Sequence, residues 1–283
     1  MSNPGRCLCG GVTWEVTDEP SSSSHCHCSM CRKAHGSAFA TYWTVAHDDL
    51  RFTSPTDGIV RFDASGSALL TRAFCGTCGS VVPQGDGQSW SVPAGGHDHG
   101  PAAQMEIFVA SHAPWFTLTS NLPRHDAYPE ASGLPSIERP KPAPRGQDKV
   151  GGSCLCGAVA YEVATPFRMA RNCHCSRCRH GRSAAHASNA FAGFDDVTYL
   201  KGEDKLVTYK LPEARFFAQT FCRTCGSLMP RRDPERKIAV VPMGSLDDDP
   251  GIRPGDHIYV ASKAGWFTIT DDLPQHPEGP PPQ

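Results

Sequence analysis

The sequence predicts a mainly β chain made of two similar halves, and three observations carry that expectation. Apolar and polar residues alternate over short runs such as Val12-Thr13-Trp14-Glu15-Val16, the period-two signature of a half-buried strand. The cysteines repeat: Cys154 minus Cys7, Cys173 minus Cys26 and Cys222 minus Cys75 all give 147, and seven cysteines per half account for all 14. Between the halves, Pro135, Pro140, Pro142 and Pro144 lie among charges, a composition suited to an extended linker. The expected layout is a first domain over 1–134, a linker over 135–149 and a second domain over 150–283 of the 283 residues.

Taken in order, Cys7-Leu8-Cys9-Gly10-Gly11 opens the first half and lets the strand at Val12 begin tightly. A serine run leads to His25-Cys26-His27-Cys28-Ser29-Met30-Cys31-Arg32, after which Arg32-Lys33-Ala34-His35 reads as a short helical turn closed at Gly36. Residues 39–45 and 50–52 are strands by composition. Phe74-Cys75-Gly76-Thr77-Cys78-Gly79 reads as a metal-knuckle turn, since glycine accepts the positive φ that turns backbone amides toward the sulfurs. Residues 107–110 read as a last buried strand, and Trp115-Phe116-Thr117-Leu118 with Leu122-Pro123 is expected to close the domain over its own core. The second half repeats the pattern with Val159, Tyr161 and Val163 and then Asn172-Cys173-His174-Cys175-Ser176-Arg177-Cys178-Arg179. Trp266 minus Trp115 gives 151, so a four-residue length change precedes the last segment.

Seven thiols per half suggest two zinc sites, because a closed structural site takes four ligands and an open one keeps three. Cys7, Cys9, Cys75 and Cys78 would form the first closed site, and Cys154, Cys156, Cys222 and Cys225 its counterpart. Cys26, Cys28 and Cys31, and Cys173, Cys175 and Cys178, remain as three-thiolate corners. The expected content is two zincs per domain and up to four per chain. Alternatively, a histidine completes the three-cysteine clusters and all four zincs are structural. His25 is a poor fourth ligand because Asn172 replaces it in the second half, and His27 and His174 should face away from sulfurs spaced Cys-x-Cys on extended backbone.

The tight spacings suit a metal better than disulfide loops, and residues 1–20 carry no charged-then-apolar signal pattern, so a reducing cytoplasm is the expected compartment. No long apolar run marks a membrane span, and a net charge of -2 gives no electrostatic reason to expect nucleic acid. Three thiolates leave a zinc site at net -1, a weak setting for a hydrolytic hydroxide and a better one for an incoming soft thiol. Such a thiol would stay nucleophilic near neutral pH and add to, or leave from, an aldehyde carbon. Arg32 and Arg179, next to the last ligands, could balance the anionic corner or clamp a substrate carboxylate. An ordinary surface ion pair is the other reading for both.

Cys7-Leu8-Cys9-Gly10, Cys26-His27-Cys28-Ser29-Met30-Cys31-Arg32-Lys33-Ala34-His35-Gly36, Phe74-Cys75-Gly76-Thr77-Cys78-Gly79 and Val260-Ala261-Ser262-Lys263-Ala264-Gly265-Trp266 resemble the glutathione-dependent formaldehyde-activating enzyme family, also known for its centromere-protein-V-like members. The resemblance covers both halves. It implies tandem zinc-binding β-tent domains of antiparallel sheets, with a four-cysteine structural zinc and a three-cysteine second zinc. It further implies carbon–sulfur lyase chemistry, and together with the soft three-thiolate corner the expectation is a zinc-dependent lyase or transferase acting on a small thiol adduct such as S-hydroxymethylglutathione, with a small thiol, glutathione among them, as partner. The competing reading is a non-enzymatic zinc-stabilised binding module. The copies depart from the family pattern differently. The first has Glu106 where the family carries the histidine kept as His257, and His112 where it carries the lysine kept as Lys263. The second has Arg179-His180-Gly181-Arg182 in place of Arg32-Lys33-Ala34-His35.

Overall fold

A computed structural model describes residues 2–64, 71–134 and 149–280. Strand outweighs helix by 38% to 15%, so the chain is mainly β, with several antiparallel sheets in two similar halves. In the first half, Thr13–Val16 lies between Asn3–Arg6 and Leu50–Phe52 in one antiparallel sheet. Ser22–Cys26 and Ala40–Ala46 run side by side at the centre of a second sheet, and Ile59–Asp63 with Thr71–Cys75 makes a hairpin. The second half repeats this with Lys149–Ser153, Ala160–Ala164 and Val197–Lys201, then Met169–Cys173 against Ala187–Gly193, then Leu206–Lys210 against Ala218–Cys222. Parallel pairing interrupts the antiparallel pattern in both halves: Met105–Ile107 joins Ser22–Cys26 and is itself joined by Arg124–His125, and His257–Ile258 joins Met169–Cys173.

Each central strand runs straight into a short helix, α1 (Ser29–His35) and α2 (Ser176–Arg182). Helix α1 ends at Gly36 with φ of 56°, the left-handed closure that the sequence calls for. Helix α2 ends in the same conformation at Ser183. The expected strand over 107–110 is shorter and earlier. Pairing stops at Ile107 because Phe108 turns left-handed, with φ of 58°, and starts a 3-10 turn at Val109–Ser111. Tyr259 makes the same turn in the second half. Of the expected linker over 135–149, residues 135–148 lie outside the described residues, and Lys149 belongs to a strand. No described helix is long and apolar enough to cross a membrane.

The halves interlock. One continuous core runs through both, from Trp14 and Trp43 to Tyr161, Met243 and Trp266. Phe74 and Phe221, 147 positions apart, meet edge to face with ring centres 6.2 Å apart. Each also fills the space that a Cβ would need at the other half's knuckle glycine, Gly226 or Gly79, both at positive φ. Helix α1 packs on the 3-10 turn Met243–Ser245 and α2 on Ala94–Gly96. A buried ion pair joins Lys33 Nζ to Asp247 at 2.5 Å, and Arg179 pairs with Asp98 at 2.7 Å. Phe116 packs on His27 and Phe39 of its own half, but the matching aromatics of the second half reach across. Trp266 donates to the His97 carbonyl at 3.2 Å, and Phe267 stacks near Phe39 of the first half. The physical reason is that each half leaves one apolar sheet face uncovered, and the other half covers it.

Candidate metal centres

The opening Cys-x-Cys of each half sits on the turn between its first two strands, and the Cys-x-x-Cys turn follows the hairpin strand that ends at Cys75 or Cys222. Folding brings the pairs together: the four Sγ atoms of Cys7, Cys9, Cys75 and Cys78 lie within 4.8 Å of one another, as do those of Cys154, Cys156, Cys222 and Cys225. A tetrahedral cage with 2.3 Å metal–sulfur bonds has edges of about 3.8 Å. The observed separations fit it: 3.5 Å for Cys7 to Cys9, 3.7 Å for Cys9 to Cys75, 3.4 Å for Cys154 to Cys156 and 3.8 Å for Cys156 to Cys222. All fourteen cysteines are free, so no disulfide competes. Backbone amides support the sulfurs, Val12 N–H donating to Cys7 Sγ at 3.3 Å and Val159 N–H to Cys154 Sγ at 3.2 Å. Thiols this close cannot all ionise unaided. Hydrogen bonds from Cys7 and Cys78 drive Cys75 far down, while those to Cys7 and Cys75 drive Cys78 far up. A divalent cation would let four thiolates share the space, and each four-cysteine group could hold one.

The three-cysteine groups form at the strand-to-helix junctions. Cys26 ends its strand, Cys28 caps α1 and Cys31 sits in the first turn, with Cys28 Sγ accepting the Cys31 amide at 3.4 Å. Cys173, Cys175 and Cys178 repeat this at α2, again at 3.4 Å. Among the described residues no histidine or carboxylate comes within ligand range of either trio. His27 and His174 point away from the sulfurs into the junction between halves. His27 stacks on Phe116 and lies 3.9 Å from Glu106. His174 Nε2 meets His257 Nδ1 at 2.8 Å, and His257 Nε2 reaches Asp271 at 3.0 Å.

The two trios differ in their surroundings. Arg72, only 4% exposed, points Nη2 at Cys31 Sγ, 3.5 Å away. Burial works against its charge, but Cys31, Tyr42 and Cys28 more than offset it and hold the guanidinium protonated. In the second half position 219 holds glutamine instead (219 minus 72 is 147), and the buried guanidinium comes from Arg182, where the first half has His35. Burial lowers Arg182 to about 10 while Cys178 and Cys173 pull it back up. Thus each thiol trio keeps one buried arginine, supplied from a strand in one half and a helix in the other. Beside Cys26 and Cys31 there is a cavity of about 170 Å³; beside Cys173, Cys175 and Cys178 there is one of about 660 Å³ lined by Arg177, Arg182, Arg215, Arg231 and Arg236. Cys28 is fully buried, whereas Cys175 is partly open.

Arg32 and Arg179 turn toward main-chain oxygens. Arg32 donates to the His27 carbonyl at 3.3 Å and the Ser111 carbonyl at 3.4 Å. Arg179 donates to Ser262 and His97 carbonyls and to Asp98, which joins it to the other half. The cavity arginines went unnoticed in the sequence. Their one signal was the pair of exchanges within the repeat, Arg72 for Gln219 and His35 for Arg182.

A family model described as glutathione-dependent formaldehyde-activating enzyme matches residues 2–111 and 149–262. A protein of Halomonas elongata that is named for glutathione-dependent formaldehyde activation is 28% identical over 124 residues, which are 42% of this chain and 79% of that protein. A crystal structure of a Rhodobacter sphaeroides protein is 32% identical and aligns with 37% of this chain and 97% of its own, with a TM-score of 0.30.

Proposed function

Because the chain belongs to the glutathione-dependent formaldehyde-activating enzyme family, we propose that it is a zinc-dependent carbon–sulfur lyase of the cytoplasm, and that its second half carries the reaction. The substrate is an adduct of a small thiol and an aldehyde, S-hydroxymethylglutathione being the first to test. The observation that carries the reading is the arginine-lined cavity of about 660 Å³ beside Cys173, Cys175 and Cys178. A tripeptide thiol with two carboxylates needs that volume and that charge. The four-cysteine groups would hold structural zinc. At a three-cysteine corner the ion would supply a soft, electrophilic fourth position that favours the thiolate form of an incoming thiol.

The chain's own residues bind and orient. The backbone of Arg177 supports Cys175, while its side chain makes no hydrogen bond or ion pair among the described residues and lines the cavity, available to a carboxylate. Arg182 gives Nη2 to Asn189 at 3.0 Å and keeps Nη1 buried next to Gly36 of the first half, so it serves the cavity as fixed positive charge. Arg231 and Arg236 are steadied by Asp233, so they hold a fixed positive wall. In the reaction the carbon–sulfur bond breaks and the sulfur leaves with both electrons. The hydroxyl gives its proton to solvent or to that sulfur, and its oxygen forms the carbonyl. In the first half Arg72 crowds Cys31 and little room remains, so that corner keeps a structural role.

Exchange NMR on glutathione and formaldehyde tests this. The zinc-loaded protein should speed adduct formation and breakdown, Cys175→Ser should abolish the effect and Cys28→Ser should retain it. The reverse pattern would move the reaction to the first half. No acceleration with any of a panel of cellular thiols would leave the binding-module reading.

A further inference from the structure

A cavity of about 380 Å³ opens where the halves meet, and no cysteine lines it. Its walls come from matched positions: Phe116 and Phe267 are 151 apart, as are Thr119 and Thr270, whose hydroxyls hydrogen bond at 2.6 Å across the junction. Other matched positions have diverged. Phe39 is answered by His186, Glu106 by His257 and Ser120 by Asp271. The duplication therefore built a symmetric hollow, and divergence gave it one polar side.

The polar groups are oriented. Ser188 Oγ donates to Asn172 Oδ1 at 2.8 Å, which uses its hydrogen, so the 3.3 Å contact with His186 Nδ1 requires that nitrogen to donate. A neutral imidazole carries one N–H. His186 Nε2 is thus an acceptor with no hydrogen-bond partner among the described residues, on a lining side chain only 2% exposed. Burial, first of all, keeps this ring neutral. Asp271 accepts from His257 and lines the wall, and Glu106 Oε2 receives no hydrogen bond. Arg124 Nε forms an ion pair with Glu106 Oε2 at 3.4 Å from outside the lining, and among the described residues no lysine or arginine lines the cavity, so Asp271 is the wall carboxylate without a basic partner other than His257. The rings of Phe39 and Phe267 adjoin His186, with centres 5.5 and 5.7 Å from it, and Phe116 adjoins Phe39 at 5.5 Å.

We propose that this inter-half cavity is a second small-molecule site, separate from the thiol chemistry, that takes an organic ammonium ion. The apolar body lies against the three phenylalanines, and the ammonium hydrogens go to His186 Nε2 and the Asp271 and Glu106 carboxylates. Ring faces and carboxylates both favour a cation there, and the same carboxylates repel an anion.

The test compares three probes of one shape, benzylammonium, benzyl alcohol and benzoate, by calorimetry at pH 7 on the full zinc-loaded chain. Benzylammonium should bind at least about tenfold tighter than the alcohol, and benzoate should not bind. Glu106→Gln with Asp271→Asn should remove the preference for the cation. His186→Phe, which restores the first half's residue, should weaken the ammonium and leave the alcohol unchanged. Cys175→Ser should keep the binding, so failure of the lyase reading does not touch this one. If Asp271→Asn disturbs the fold through His257, Glu106→Gln and His186→Phe carry the comparison alone. Equal affinity for ammonium and alcohol, no saturable ammonium binding, or a preference that survives these variants would overturn the proposal.

Discussion

At the residue scale, the chain holds several neutral imidazoles where charge cannot be accommodated, and His97 is the clearest. Trp14 Nε1–H donates to its Nε2 at 2.8 Å, and its Nδ1 donates to Asn3 Oδ1 at 3.1 Å, so a second proton would break the tryptophan bond. Burial, with His180 nearby, pushes His97 down to about 3. The unfolded chain takes that proton near the ordinary value of 6.5. Its contribution is therefore full above pH 6.5 and is lost as pH falls from there toward 3, at up to about 1.4 kcal/mol per pH unit. Denaturant titrations between pH 7 and pH 4 should show a shallower pH dependence for His97→Gln, by close to one proton; parallel curves would refute the assignment. Metal ligands also protonate in acid, so the difference between the two proteins is the quantity to read. Arg72 makes a second case. Arg72→Gln copies the other half's Gln219 without its Arg182, and should weaken metal retention at Cys26, Cys28 and Cys31 by about 10- to 100-fold in a chelator competition. Retention at the second half should not change.

At the element scale, the two capped helices set how closely the halves approach. Gly95 and Gly244 sit in the 3-10 turns against them, and a Cβ at Gly95 would lie 2.0 Å from the Ala184 amide nitrogen, one at Gly244 2.3 Å from the Arg32 carbonyl oxygen. Backbone cannot yield as a flexible side chain does. Gly95→Ala or Gly244→Ala should cost at least about 3 kcal/mol in chemical denaturation, whereas Gly58→Ala, which meets open space, should be near neutral. The knuckles and the helix caps should differ in the same way. Cys75→Ser or Cys222→Ser removes a ligand that ties the first strands to a late hairpin, and should lower the melting temperature sharply. Cys175→Ser, at a partly open corner, should leave circular dichroism close to that of the parent. Equal damage from both classes would make the second trio structural.

At the scale of the whole molecule, four thiol groups and one shared core behave as a single unit. Elemental analysis of protein kept reduced and resupplied with zinc should approach four ions per chain; two or fewer would remove the three-cysteine corners from the account. A chain of residues 1–134 alone would uncover the face that Phe221, Phe267 and Trp266 fill. It should self-associate in light scattering, and a well-behaved monomer would mean that the halves do not depend on each other.

The sequence by itself determined the cysteine groups, the duplication and most strands, because these rest on local spacing: Cys-x-Cys and Cys-x-x-Cys read the same in any context, and the 147-residue offset pairs them. It also held the helix closed at Gly36, since only local backbone geometry is involved. Only the tertiary structure decided how the copies meet. The Lys33–Asp247 pair spans 214 positions, and the repeat shows that Arg72 and Arg182 are exchanged but not that each buries its charge near equivalent sulfurs. The hollow between Phe39, His186 and Asp271 belongs to neither half alone. Contacts between distant segments depend on the shape of two packed surfaces, and no local pattern of residue types encodes that shape.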